Sequence, residues 1–136
     1  MTEFPPEFWR AVDEFNQGEF YACHDTLEAI WLESVDPEKK FYQGILQIAV
    51  GFYHLSNQNW KGCLMLLGEG TNRLRHYRPE YGEIDVESLF SEALEMLQEL
   101  QEAGEERTAE FASKYGLIGE SGTMALPKVN KVSSSA

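Results

Sequence analysis

An all-α fold is what this sequence predicts, a compact bundle of five to six helices built from antiparallel helical hairpins. Three observations carry that prediction. Apolar residues recur at helical spacing in successive segments from Pro5 to about Tyr115. Helix start and stop signals separate those segments. A weak internal repeat places two similar turns about forty residues apart: Asn16-Gln17 matches Asn57-Gln58, and Phe20, Ala22 and Cys23 match Trp60, Gly62 and Cys63. Each match falls where one helix gives way to the next, as two successive hairpins require.

The first segment, about Pro5 to Asn16, sets Phe8, Val12 and Phe15 on one face, and Gln17-Gly18 closes it. The second, about Glu19 to Ser34, does the same with Phe20, Cys23, Leu27, Ile30 and Trp31. Asp36-Pro37 reads as a start signal, with Asp as N-cap and Pro as first helical residue. The third helix, about Pro37 to Asn57, is apolar nearly all round and is the expected central element. Its Gly44 and Gly51 project within about 20° of each other and invite a close neighbour. The fourth, from about Asn59 to Tyr77, contains Gly62, Gly68 and Gly70 and is expected to be helical only because it is packed. Pro79 stops it. The fifth starts at Asp85, a good N-cap, and ends near Gly104; Leu89, Phe90, Ala93, Leu97 and Leu100 form its stripe. A short sixth helix fits Glu105 to Tyr115. Residues 1–115 are read as a single helical domain and residues 116–136 as a flexible C-terminal tail, rich in Ser, Gly and Lys.

Composition narrows the function classes. The net charge of −12 is uneven: residues 1–38 carry ten acids and one base, residues 39–79 six bases and one acid, and residues 80–110 eleven acids and one base. An acidic chain repels phosphate backbones, so no nucleic-acid partner is expected. The basic middle is expected to pair with its acidic flanks inside the fold. The longest apolar run, about Ile45 to Tyr53, is too short to span a bilayer, and no membrane partner is expected. Met1 to Pro6 has no basic start and no apolar core, and Cys23 and Cys63 sit among apolar neighbours. Reduced core thiols in a cytoplasmic protein are the expectation.

Two polar constellations stand out. One is His24-Asp25-Thr26-Leu27-Glu28-Ala29-Ile30-Trp31; the other is Gln43, Gln47 and His54 in the otherwise apolar run Phe41 to Leu55. On a helix, Gln47 lies about 40° from Gln43, and His54 falls between them. Buried polar groups need partners, so His24 and Glu28 are expected to meet Gln47 or His54, with Glu28 a buried acceptor and Glu33 a surface charge. The candidate binding residues are His24, Asp25, Glu28, Trp31, Gln43, Gln47 and His54. Three readings follow. These groups form a satisfied network that sets helix register; or they line a pocket for a small polar ligand or a partner peptide, walled by Trp31, Tyr21 and Tyr53; or His24, Glu28 and His54 hold a divalent metal. A metal-dependent, hydrolase-like enzyme belongs to the third reading, and the first two need no cofactor. One His-x-x-x-Glu is a thin metal signal beside the His-Glu-x-x-His of zinc proteases. Gly68-Glu69-Gly70-Thr71-Asn72 lacks the lysine of a phosphate loop, and no serine triad has a candidate nucleophile.

The stretch Phe15-Asn16-Gln17-Gly18-Glu19-Phe20-Tyr21-Ala22-Cys23-His24-Asp25-Thr26-Leu27-Glu28-Ala29-Ile30-Trp31 resembles the opening signature of domain-of-unknown-function family 309. Phe41-Tyr42-Gln43-Gly44-Ile45-Leu46-Gln47, followed by His54, Asn59 and Gly62, resembles its second motif. The likeness covers roughly residues 8 to 100. It implies a compact helical domain of antiparallel hairpins and no assigned reaction. Cys63 departs from the alanine common after the glycine.

Overall fold

The computed structural model describes residues 3–119 and 122–132. Six α-helices dominate it: α1 (Pro6–Asn16), α2 (Phe20–Glu33), α3 (Glu38–Ser56), α4 (Trp60–Leu74), α5 (Val86–Ala103) and α6 (Thr108–Lys114). Single 3-10 turns, Arg75–Tyr77 and Glu105–Arg107, follow α4 and precede α6. The first four helices alternate in direction as two hairpins. Phe15 packs on Phe20 across the first turn, and both rings contact Phe52 on α3. At the other end of α1, Phe8 packs against Phe41 and Tyr42. The fully buried Phe8, Phe15, Phe41, Phe52, Leu27, Ile45, Ile48 and Leu67 form one core around α3. Its apolar circumference leaves that helix stable only when covered on most sides.

The α3–α4 contact is the closest. A Cβ built on Gly44 would lie 2.9 Å from Leu74, one on Gly51 3.0 Å from Leu67, and one on Gly70 2.7 Å from Ile48 Cγ1 and 2.9 Å from the Gly44 carbonyl. Gly70 lets the α4 backbone approach that of α3 where any side chain would collide, and Gly44 and Gly51 leave room for the ends of Leu74 and Leu67. Asp85 caps α5 as its position suggests, accepting from Ser88 N at 3.1 Å. Asp36 does not cap α3. That helix begins one residue later than expected, at Glu38 with Pro37 at the N-cap, so Asp36 lies outside the capping position and meets Lys40 Nζ at 3.5 Å.

Two features were not foreseen. Between α4 and α5 the chain forms a small antiparallel hairpin, β1 (Glu80–Tyr81) with β2 (Ile84–Asp85). Residues 122–132, assigned to a flexible tail, instead follow a bonded course back over the start of the chain. Asn16 clamps Val129 through both backbone groups, its Nδ2 donating to the carbonyl and its Oδ1 accepting from the amide, each at 2.8 Å. Val129 is 1% exposed, Lys131 bridges to Ile84, and Asp85 N donates to the Asn130 carbonyl. The segment is a strap tying the α1–α2 turn to the hairpin. The remaining tail residues, 120, 121 and 133–136, lie outside the described residues. Among the described residues no helix is long and apolar enough to cross a membrane.

Candidate functional site

Gln43, Gln47 and His54 share a side of α3 by their spacing, but the polar partners of Gln47 and His54 are not His24 or Glu28. Gln47 faces α4. Its amide, 7% exposed, accepts from Arg73 Nε at 3.0 Å and donates to Glu69 Oε2 at 2.9 Å. The two partners lie one helical turn apart on α4, so a single side chain from α3 satisfies both ends of its amide there. Gln43 is half-buried one turn earlier on α3. His54, two turns beyond Gln47, sits at the start of the α3–α4 turn. Asn59 Nδ2 donates to its Nδ1 at 3.3 Å, while Asn59 Oδ1 caps α4 by accepting from Gly62 N. The expected contact of His24 or Glu28 with Gln47 or His54 is therefore replaced. A helical wheel gives the angular position of a side chain on its own helix and leaves open which neighbour that side faces.

His24 makes its bonds within α2. Its Nδ1 lies 3.1 Å from Asp25 Oδ1 and its Nε2 3.3 Å from Glu28 Oε2. Glu28 is exposed, with 51% of its side chain in solvent, so it is not the buried acceptor expected of it. Both ring nitrogens of His24 face carboxylates, and among the described residues no three His, Cys, Asp or Glu side chains converge as a metal site would need. Trp31, seven residues on, does not reach the same place. It is half-buried near the other end of α2 with Lys39 Nζ 4.7 Å from its ring centre.

What the structure does bring together is an aromatic and imidazole cluster. Tyr21 on α2 and Tyr53 on α3 stand 5.4 Å apart between ring centres. Tyr21 also lies 6.1 Å from the His24 ring, and Tyr53 lies 6.5 Å from that of His54. With Phe20 and Val50 these four residues line a hollow of about 160 Å³. Antiparallel packing of α2 on α3 causes the convergence, because it sets residues 20–24 beside residues 50–54. Large apolar side chains are normally covered, yet Tyr21 is 60% exposed and Tyr53 36%. The hollow shares Phe20, Tyr21 and Tyr53 with a larger cleft of about 700 Å³. That cleft runs from the α1–α2 turn beneath the strap, where Met124, Leu126 and Pro127 form one wall and Leu117 another. The strap residues escaped the sequence reading. Their signal was slight: Met124-Ala125-Leu126-Pro127, Val129 and Val132 are apolar but follow no helical spacing.

Residues 8–66 match DUF309, a domain of unknown function. The matched segment contains His24, Asp25, Glu28, Trp31, Gln43, Gln47 and His54, and it stops short of Arg73, α5 and the strap. "Uncharacterized protein YpuF" of Bacillus subtilis (strain 168) is 32% identical over 104 residues, covering 73% of this chain and 57% of the relative. The chain thus spans a little over half the length of that relative. Neither the DUF309 match nor the relative carries an assigned activity.

Cys23 and Cys63 are free and fully buried, one at the start of each hairpin's second helix. Burial pushes both thiols up to about 12, with Glu14 adding to the effect at Cys23. Neither offers the thiolate that a nucleophile or a soft-metal ligand requires.

Proposed function

We propose that this protein is a binding module that takes a peptide segment carrying a basic side chain beside an apolar one. The observation that carries the proposal is the tyrosine pair: two exposed rings from different helices, 5.4 Å apart, over a hollow whose other walls are Phe20, Val50 and two imidazoles. Exposed, clustered tyrosines supply much contact area at little entropic cost and serve as binding anchors. The hollow is small enough for one side chain. The adjoining cleft extends past it along the α1–α2 turn, which suits an extended segment better than a compact ligand.

Charge argues for a basic partner. Asp25 and Glu28 stand exposed beside His24, Glu19 lines the cleft, and residues 1–38 hold ten acids against one base. A tyrosine face attracts an ammonium or guanidinium group, and an acidic rim steers such a ligand inward.

Selection of a random displayed peptide library tests the proposal, with wild-type protein run against the Tyr21→Ser/Tyr53→Ser double variant. Peptides enriched only by wild type should carry Lys or Arg next to an apolar residue. The tightest of them should lose at least about tenfold in affinity on Tyr53→Ser alone. Enrichment that ignores the tyrosines, or that favours acidic peptides, would overturn the reading.

A further inference from the structure

Where α3 packs on α4, two of the eleven Lys and Arg residues of this acidic chain, Lys40 and Arg73, meet His76. Lys40 in the first turn of α3, Asn72 and Arg73 in the last turn of α4, and His76 and Tyr77 in the 3-10 turn line a hollow of about 350 Å³. Antiparallel packing of α3 on α4 produces the convergence, since it sets the beginning of one helix beside the end of the other. The basic middle of the sequence was expected to be consumed by its acidic flanks. Only part of it is: Arg78 pairs with Glu87, and Lys40 meets Asp36 at 3.5 Å in a half-exposed contact. Such exposed pairs are weak and readily exchanged for a stronger anion.

Arg73 is the organised member of the group. Its Nε is held at 3.0 Å by the carbonyl oxygen of Gln47, whose own amide is anchored on Glu69. A guanidinium fixed through Nε keeps its two terminal amines for a planar, two-point contact, the geometry that matches phosphate and carboxylate oxygens. Gln47, the buried amide on an apolar helix, thereby has a role beyond satisfying itself: it aims Arg73. The positive end of α3 and the negative end of α4 lie close together here, so the helix dipoles largely offset, and the side chains set the field.

We propose that this hollow binds the phosphate group of a small phosphate monoester, with Arg73 as the two-point contact and Lys40 and His76 as flanking donors. Three basic groups around one spot suit a dianion better than a single carboxylate. The volume exceeds that of a bare tetrahedral ion and lies at the lower end of the range for small-ligand sites. Tyr77 supplies an aromatic wall for the organic part, its hydroxyl being already donated to the Pro37 carbonyl at 2.6 Å. The site is separate from the tyrosine–histidine hollow and stands or falls independently of it.

The test is an NMR titration of the full chain at fixed ionic strength with adenosine monophosphate, inorganic phosphate and succinate. Saturable shifts should centre on Lys40, Arg73 and His76, with the monophosphate tightest and succinate weakest. Lys40→Ala and His76→Ala alter exposed residues and should leave the fold intact while each weakens monophosphate binding about tenfold. Arg73→Lys keeps the charge but loses both the fork and the Gln47 anchor, and should weaken it comparably. Lys61→Ala, in the first turn of α4, should change nothing. Absence of a saturable shift, shifts centred elsewhere, equal binding of succinate, or equal weakening by Lys61→Ala would each overturn the proposal.

Discussion

The two hairpins begin alike and end differently. Each turns through a residue with positive φ, Gly18 at 80° in the first and Gln58 at 57° in the second. Each then starts a helix whose fourth residue is a buried cysteine. Beyond that point the first hairpin leaves its polar residues outside: His24, Asp25 and Glu28 bond to one another along α2, and Tyr21 stands in solvent. The second turns Gly44, Gly51, Gly70 and the Gln47 amide inward, so that α3 and α4 pack closely and Gln47 links Glu69 to Arg73. One architecture has been used once for an open surface and once for a closed joint. Substitutions on the side of α4 that packs against α3 should accordingly cost stability, and those on the exposed face of α2 should cost binding.

The sharpest test of the closed joint lies within one helix. Gly70→Ala places a methyl group 2.7 Å from Ile48 Cγ1 and 2.9 Å from the Gly44 carbonyl. Backbone cannot step aside as a flexible side chain can, so a loss of about 2–3 kcal/mol is expected. Gly68, two residues earlier on α4, has nothing within 4 Å of its would-be Cβ. Gly68→Ala should raise stability by about 0.5–1 kcal/mol through helix propensity alone. Urea midpoints of the two variants should move in opposite directions. Movement in the same direction would mean that the joint is looser than drawn.

The second comparison sets Gln47 against Glu28, residues that on sequence alone belonged to one network. Gln47→Ala removes a buried amide from between Arg73 and Glu69 and should cost about 1–3 kcal/mol. Glu28→Ala removes an exposed carboxylate from an i,i+4 contact with His24 and should stay within about 0.5 kcal/mol of wild type, as should Glu33→Ala. A Glu28 effect as large as that of Gln47 would restore the network that the sequence suggested.

How much could be read in advance depended on whether a signal was local. Helix positions came from apolar spacing, the α5 start from Asp85, and a close neighbour for α3, though not which one, from Gly44 and Gly51, because each is written within one segment. The partner of Gln47 was not, since the angle of a residue on its own helix does not determine whether α2 or α4 faces it. The hairpin at residues 80–85 has strands too short to show alternation. The strap is held by Asn16, more than a hundred residues away, and no local pattern announces such a clamp. Of the candidate site, His24 and His54 were legible as chemistry-bearing residues. Their shared hollow became visible only once the antiparallel packing of α2 on α3 was in place.

The smallest expected effect concerns the turns, where the two hairpins are most alike. Gly18 has φ of 80° with nothing within 4 Å of a would-be Cβ, so any cost of Gly18→Ala is conformational rather than steric against neighbours. A left-handed L-residue costs about 1–2 kcal/mol, partly recovered because alanine restricts the unfolded chain. The net loss should be near 1 kcal/mol. Gln58 already carries that cost at φ 57°. Gln58→Gly removes it while adding freedom to the unfolded chain, so a gain of only a few tenths of a kcal/mol, and at most about 1, is expected. The exchange should leave the urea m-value unchanged, since neither residue buries surface that the other exposes. The double variant, Gly18→Ala with Gln58→Gly, should be additive if the two hairpins close independently. A coupling of more than about 0.5 kcal/mol would show instead that strain in one turn is relieved through α3, the helix on which both hairpins pack.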